Sequence, residues 1–188
     1  MSSSRLRSPA VHSVHFYDAD EALIQRLQSV ITSSVVAGNS ILVIATDAHR
    51  SQLTAALKKR GLDIFRLEND GMLMFFNAHE TLAQFMVNGL PDRERFLRSV
   101  GELVLSAKQA ARSASWGLTA FGEMVAVLWE QGNQAGALQL EAMWNDLLND
   151  RIFHLHCAYP RSLFAGAKNA AAIQAICDGH SHVVGYAN

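Results

Sequence analysis

Cysteine is scarce in this chain: Cys157 and Cys177 are the only two, and they form no CxxC pair. That scarcity speaks against a disulfide framework and against the tight paired spacing of a structural zinc site, and it fits a reducing cytoplasm. Long apolar runs are missing too. None approaches the roughly 20 residues of a membrane helix, and the polar residues 1–10, which carry Arg5 and Arg7, lead into no apolar signal segment. An excess of one charge is also missing. The formal net charge is -1 and the isoelectric point about 6.7, so no basic field gathers nucleic acid. Repeats, low-complexity tracts and linkers are absent, so the reading is a single domain over residues 12–188 behind a disordered segment, 1–11. With 49% hydrophobic residues in 188, such a domain has a core that buries roughly 70% of the unfolded surface.

What is present is an alternation of strand and helix patterns. SVHFY (13–17) has strand composition, a helix follows over 21–36, and Ala37, Gly38 and Asn39 turn the chain into ILVIAT (41–46), an apolar run of the kind buried on both faces of a parallel sheet. Thr46 or Asp47 caps the next helix, which ends at Gly61. LMFF (73–76) is a further strand, and Asn77 with Glu80 has capping-box spacing for a helix through Val87, broken by Gly89. Pro91 opens a long amphipathic helix bearing Phe96, Val100, Val104 and Ala107, and SWGLTAF (115–121) returns to strand. The βαβα rhythm predicts an α/β fold with a mainly parallel sheet and ligands outside the carboxyl ends of its strands.

The first connection lacks what a phosphate loop needs. A Walker A turn uses glycines to bring backbone amides around phosphate, and a lysine for the terminal phosphates. Here the turn is Tyr17, Asp18, Ala19, Asp20, Glu21, with no glycine, no lysine and three acids. ATP hydrolysis at this position is not expected. No GxSxG elbow or other activated serine is present, and catalysis by Cys157 would require a neighbouring base and a lowered thiol pKa.

The chemistry-bearing residues concentrate in 121–160, which reads as helix, turn, helix, strand. Met124, Val127, Leu128 and Trp129 recur at helical spacing, Gly132 stops that helix, and Leu138, Leu140, Glu141, Trp144, Asn145 and Leu148 form a second amphipathic period. In FHLHCAY the period changes to two, with Phe153, Leu155, Cys157 and Tyr159 on one side and His154, His156 and Ala158 on the other, and Pro160 closes the strand. A helix over 168–178 and a last strand or tail follow. His15 and Tyr17 share a face of the first strand, and Glu123 stands where a strand hands over to a helix. A set of His15, Glu123 and Cys157 can coordinate a soft or borderline metal or hold a polar ligand head by hydrogen bonds. The bland readings stand beside it: a core histidine, a carboxylate in a helix first turn, a small buried thiol. His49, after Thr46 and Asp47, either lines the same crevice or lies on the surface. The pairs His154 with His156 and His180 with His182 are candidate metal half-sites, while Trp129 and Trp144 fall at core periods.

HFY near the start, ILVIATDAH before a helix ending in GLD, NGLPD, FGEMVAVLW, LEAMWNDL, HCAYP and a late His180 together resemble the MEDS sensory domain, named for methanogen and methylotroph proteins and a dichloromethane-responsive regulator. The resemblance covers His12 to Val184. It implies a RecA-like, three-layer α/β/α fold without a working phosphate loop, and sensing of hydrocarbon derivatives in signalling proteins. It implies further that the first strand lies beside the strand of FHLHCAY, and that strand beside SWGLTAF, so that His15, Tyr17, Glu123, Cys157 and Tyr159 converge at one end of the sheet. Asn77 departs from the acid that relatives often carry after the middle strand. Relatives commonly carry a kinase or DNA-binding output module for which this chain has no room, so the signal is expected to pass through a partner, such as a histidine kinase or a transcription regulator, or through an oligomer interface.

The expectation is thus a non-enzymatic cytoplasmic sensory domain binding an organic ligand through His15, Tyr17, Thr46, His49, Glu123, Cys157 and Tyr159, with no cofactor, no direct nucleic-acid contact and no membrane. Two alternatives remain at this point: a divergent nucleotide-binding protein with a rebuilt loop, and a scaffold that has lost its ligand.

Overall fold

Six strands with few polar residues on their central members assemble into one parallel sheet in the order β3-β2-β6-β7-β1-β8, as a computed structural model describes over residues 10–112, 117–165 and 170–186. β1 is Val11–Tyr17, β2 Ser40–Ala45, β3 Leu73–Asn77, β6 Leu118–Gly122, β7 His154–Pro160 and β8 His182–Val184. All six positions of β2 are buried, which follows from its apolar run and its place between β3 and β6. The neighbours implied by the family likeness are present, since β1 pairs with β7 and β7 with β6, both parallel.

Helices cover both faces. On one face α1 (Asp20–Val36), α2 (Asp47–Lys59) and α3 (Ile64–Asn69) bring Leu23, Ile31, Leu53, Leu57 and Ile64 against Ile41, Val43 and Phe121. On the other, α4 (Ala78–Phe85), α6 (Glu102–Ala110), α7 (Met124–Glu130), α8 (Gln134–Asp150) and α9 (Ala170–Asp178) pack with Val14, Phe16, Leu42, Ile44, Leu155, Cys157 and Tyr159. The three-layer α/β/α architecture is therefore the one expected.

Several local readings change. The helix read through Val87 stops at Phe85, because Asn88 and Gly89 both take positive φ (50° and 82°) and close a two-residue hairpin between β4 (Met86–Val87) and β5 (Leu90–Pro91). Asn-Gly is the dipeptide such a turn selects. The following helix starts not at Pro91 but after Asp92, whose side chain accepts from the Arg95 amide, and runs through α5 (Arg93–Phe96) and a π-helical turn, Leu97–Gly101, into α6. β1 opens at Val11, inside the segment expected to be disordered, and residues 1–9 lie outside the described residues. Ser115 and Trp116 of the expected strand, and the first residues of the expected helix at 168, also lie outside them.

Phe96 of α5 joins α4 to α8. It is fully buried, with its ring edge-on to Phe85 at 5.4 Å and to Trp144 at 5.3 Å. Phe96→Ala is expected to cost about 3–5 kcal/mol, read as a shift in the urea midpoint at unchanged slope. A loss below about 1 kcal/mol would contradict this packing.

Candidate functional site

At the carboxyl ends of the strands Glu123 follows β6, and its amide donates to the Ile44 carbonyl at the end of β2. Its carboxylate is buried and doubly engaged. Oε2 accepts from the Thr46 amide at 2.8 Å, and Oε1 lies 2.6 Å from His49 Nδ1. Thr46 caps α2, which starts the helix so that His49 falls beside Glu123. His49 Nε2 reaches Asp20, an acid of the glycine-free turn, at 3.2 Å. The hydrogen bond to Glu123 outweighs burial and, with Asp20, lifts the His49 pKa to about 9. Tyr17 stands close by, its ring 6.3 Å from that of His49, and burial together with Glu123 and Asp20 holds its phenol above the usual range.

Four sequence-selected residues, Tyr17, Thr46, His49 and Glu123, are therefore gathered at one place. Cys157 and Tyr159 are not with them, and the expected convergence of five residues is corrected. Side chains alternate along a strand; Val14 aligns with Cys157 and Phe16 with Tyr159, so these point into the core beneath α7 to α9, while His15 and Tyr17 face the α1 side. A metal shared by His15, Glu123 and Cys157 is ruled out by the sheet between them. His15 lies 6.2 Å from Tyr17, ring to ring, its Nδ1 buried without a hydrogen bond. Burial, then Arg26 and Arg161, lower its pKa.

Behind the sheet, Cys157 and Tyr159 belong to a second polar cluster inside the apolar layer. Glu141 of α8 is at its centre, 5% exposed. Its Oε1 accepts from the Tyr159 hydroxyl at 2.8 Å. Its Oε2 lies 3.5 Å from His12 Nε2, 3.4 Å from His180 Nε2 and 3.7 Å from Cys157 Sγ. His12 Nε2 is 3.4 Å from the same sulfur. His12 stands on β1, one turn of alternation before Val14, and His180 follows α9, which rests on α8.

The outer hydrogen bonds fix how both imidazoles present themselves. Asn145 Nδ2 donates to the Gly179 carbonyl, which leaves Oδ1 as the atom facing His12 Nδ1 at 2.8 Å. An amide oxygen only accepts, so His12 Nδ1 carries a proton. His180 Nδ1 likewise donates to the Ile176 carbonyl at 2.6 Å. Both rings therefore turn Nε2 inward, and His180 Nε2, though buried, has no aligned hydrogen-bond partner. Burial pushes the Glu141 carboxyl up, but His180, His12 and Tyr159 together hold it below the ordinary value. Burial, then Glu141, raise the Cys157 thiol. A cavity of about 300 Å³, bounded by Ala10, His12, Asn145, Asn149, Gly179 and His180 among others, opens beside the cluster.

Sequence reasoning gave His12 no role and took Glu141 and Asn145 as positions of an amphipathic period. A signal was there. Glu141 sits in the buried stripe between Leu140 and Trp144, where a carboxylate requires partners, and Asn145 is one helical turn further on the same side. The expected half-site of His180 with His182 is divided, since His180 enters the cluster while His182 is exposed on β8; His156 bonds Ser13 on the opposite face of the sheet, with burial lowering its pKa to about 4.

The parallel six-stranded sheet with helices on both faces, an acidic first turn and a buried polar cluster beneath the sheet defines a three-layer α/β/α domain. Residues 11–178 match the family model described as the methanogen/methylotroph, DcmR sensory domain (MEDS), and the chain belongs to that sensory family. Glu141, Asn145, Cys157, Tyr159 and His180, which carry the family likeness in sequence, converge in the buried cluster. No curated protein matches the chain in sequence. No helix among the described residues is long and apolar enough to cross a membrane.

The strand-end cluster yields a pH dependence. His49 has a folded pKa of about 9 against an ordinary 6.5, so its stabilisation is complete below about pH 6.5 and disappears as pH rises through 9. The melting-temperature difference between wild type and His49→Gln is expected to shrink steadily from about pH 6 to about pH 10. A difference that stays constant over that range would refute the His49–Glu123 pairing.

Proposed function

We propose that this sensory domain receives a small organic ligand, of the hydrocarbon-derivative class, in the cavity beside the His12, Glu141, Cys157 and His180 cluster. The observation that carries the reading is a set of polar side chains, drawn from positions as distant as 12 and 180, turned toward one another in an apolar layer with a cavity of about 300 Å³ alongside. Small-molecule sites are concave and carry a few convergent polar groups that orient the ligand, and His12, Asn145 and His180 supply such groups here. The expected crevice at the strand carboxyl ends is less suited, because both oxygens of Glu123 are already bonded to Thr46 and His49.

Binding in the cavity favours whichever placement of α8 and α9 contacts the ligand, and the shifted helices are read by a partner such as a histidine kinase or a transcription regulator. A ligand biases such an equilibrium only by contacting the two states differently. The reading is non-hydrolytic. Asp18 and Asp20 occupy the turn where a triphosphate would need glycine amides and a lysine.

Thermal shift against halogenated and oxygenated small organics tests the reading. At a hundredfold excess over Kd a hit raises the melting temperature by roughly 5–10 °C. Asn149→Trp, which fills the exposed mouth without touching the core, is expected to abolish the shift, and Glu123→Gln to preserve it. The reverse pattern would move the ligand to the strand ends and overturn the proposal.

A further inference from the structure

We propose that His12 Nε2, Glu141 Oε2, Cys157 Sγ and His180 Nε2 form a tetrahedral site for a divalent transition-metal ion of borderline softness, zinc being the natural occupant. The inference deepens the cavity reading by naming what lies at its floor, and it uses residues that no motif spacing in the sequence brings together.

Geometry comes first. The four donor atoms all lie within 4.8 Å of one another. Around a zinc-sized ion, with bonds of about 2.0–2.2 Å to nitrogen and oxygen and 2.3 Å to sulfur, the donors of a tetrahedron stand roughly 3.3–3.6 Å apart. The contacts of 3.5, 3.4, 3.4 and 3.7 Å around Glu141 Oε2 and His12 Nε2 have that scale.

Orientation comes second. Metal-binding histidines usually donate their remote ring N–H to a carbonyl or carboxylate, which fixes the tautomer and aims the lone pair. His12 does so to Asn145 and His180 to the Ile176 carbonyl. Tyr159 plays the equivalent part for Glu141, occupying Oε1 and leaving Oε2 directed inward. His180 Nε2 is left buried without an aligned hydrogen bond, which an ion at the centre would satisfy.

Charge comes third. In the metal-bound form, with Nε2 of both imidazoles deprotonated to bind the ion, one carboxylate and one thiolate present two negative charges in an apolar layer, and a divalent ion neutralises them. The thiol proton leaves on binding, as in other thiolate sites. The donor set mixes imidazole, carboxylate and thiolate, which suits zinc and its neighbours and disfavours calcium or magnesium, whose ligands are all oxygen.

Cobalt substitution tests the site spectroscopically. The full chain, stripped with chelator and kept reduced, is titrated with Co²⁺. The expected result is about one equivalent bound, with the intense visible bands of four-coordinate cobalt and a near-ultraviolet thiolate-to-cobalt band, both erased by added Zn²⁺. Cys157→Ser should remove the thiolate band, Cys177→Ser should keep it, and Asn145→Ala should weaken binding roughly 10–100-fold through His12 without changing the band shape. A weak six-coordinate spectrum, or a thiolate band that survives Cys157→Ser and is lost in Cys177→Ser, would overturn the assignment. If an organic ligand stabilises the stripped chain while Co²⁺ stays six-coordinate, the cavity reading holds and the metal does not; tetrahedral Co²⁺ on a chain that no organic compound in the panel stabilises, with or without the metal, supports the metal and removes the cavity reading.

Discussion

A carboxylate placed beneath a parallel sheet has to be met by donors or by a cation, because its isolated charge in an apolar layer is far more costly than any single contact can repay. Glu141 imposes that requirement here. Its position in the buried stripe of α8 explains why His12, His180, Tyr159 and Cys157 all turn toward one point, and why Asn145 and the Ile176 carbonyl hold the two imidazoles from behind. Remove the carboxylate and each of these groups loses its reason for being polar in that layer.

The sheet decides which chemistry can meet which. Consecutive residues of β1 belong to opposite faces, so His12 joins Cys157 while His15 and Tyr17 look toward α1. The result is two separate polar centres on one scaffold. The strand-end centre, Glu123 with Thr46, His49 and Asp20, ties β6, α2 and the first turn together. There Asp20, an acid of the glycine-free first turn, meets His49. The inner centre ties β1, β7, α8 and α9.

The fold was legible because its signals are local and repeated. The run of β2, the Thr46 and Asn77 caps and the change of period at FHLHCAY each report a burial pattern that the structure realises. The Asn88–Gly89 hairpin was equally legible, but it was passed over by reading Gly89 as a breaker alone. The site was only half legible. Glu123 and His49 lie at element junctions, which strand topology points to, whereas His12, Glu141 and His180 meet only through the pairing of β1 with β7 and the packing of α9 on α8, which no spacing along the chain encodes.

The strand order carries a consequence for synthesis. Within the sheet β1 precedes the other five strands along the chain, yet its two neighbours, β7 and β8, are the last of the six. Until residue 160 and beyond has emerged, β1 has both edges unpaired and its His12 without companions. Such long-range parallel pairing is slow and leaves the nascent chain open to association with others. The inner centre is thus completed only once His180 has reached His12, after five of the six sheet strands and most of the helices have been made.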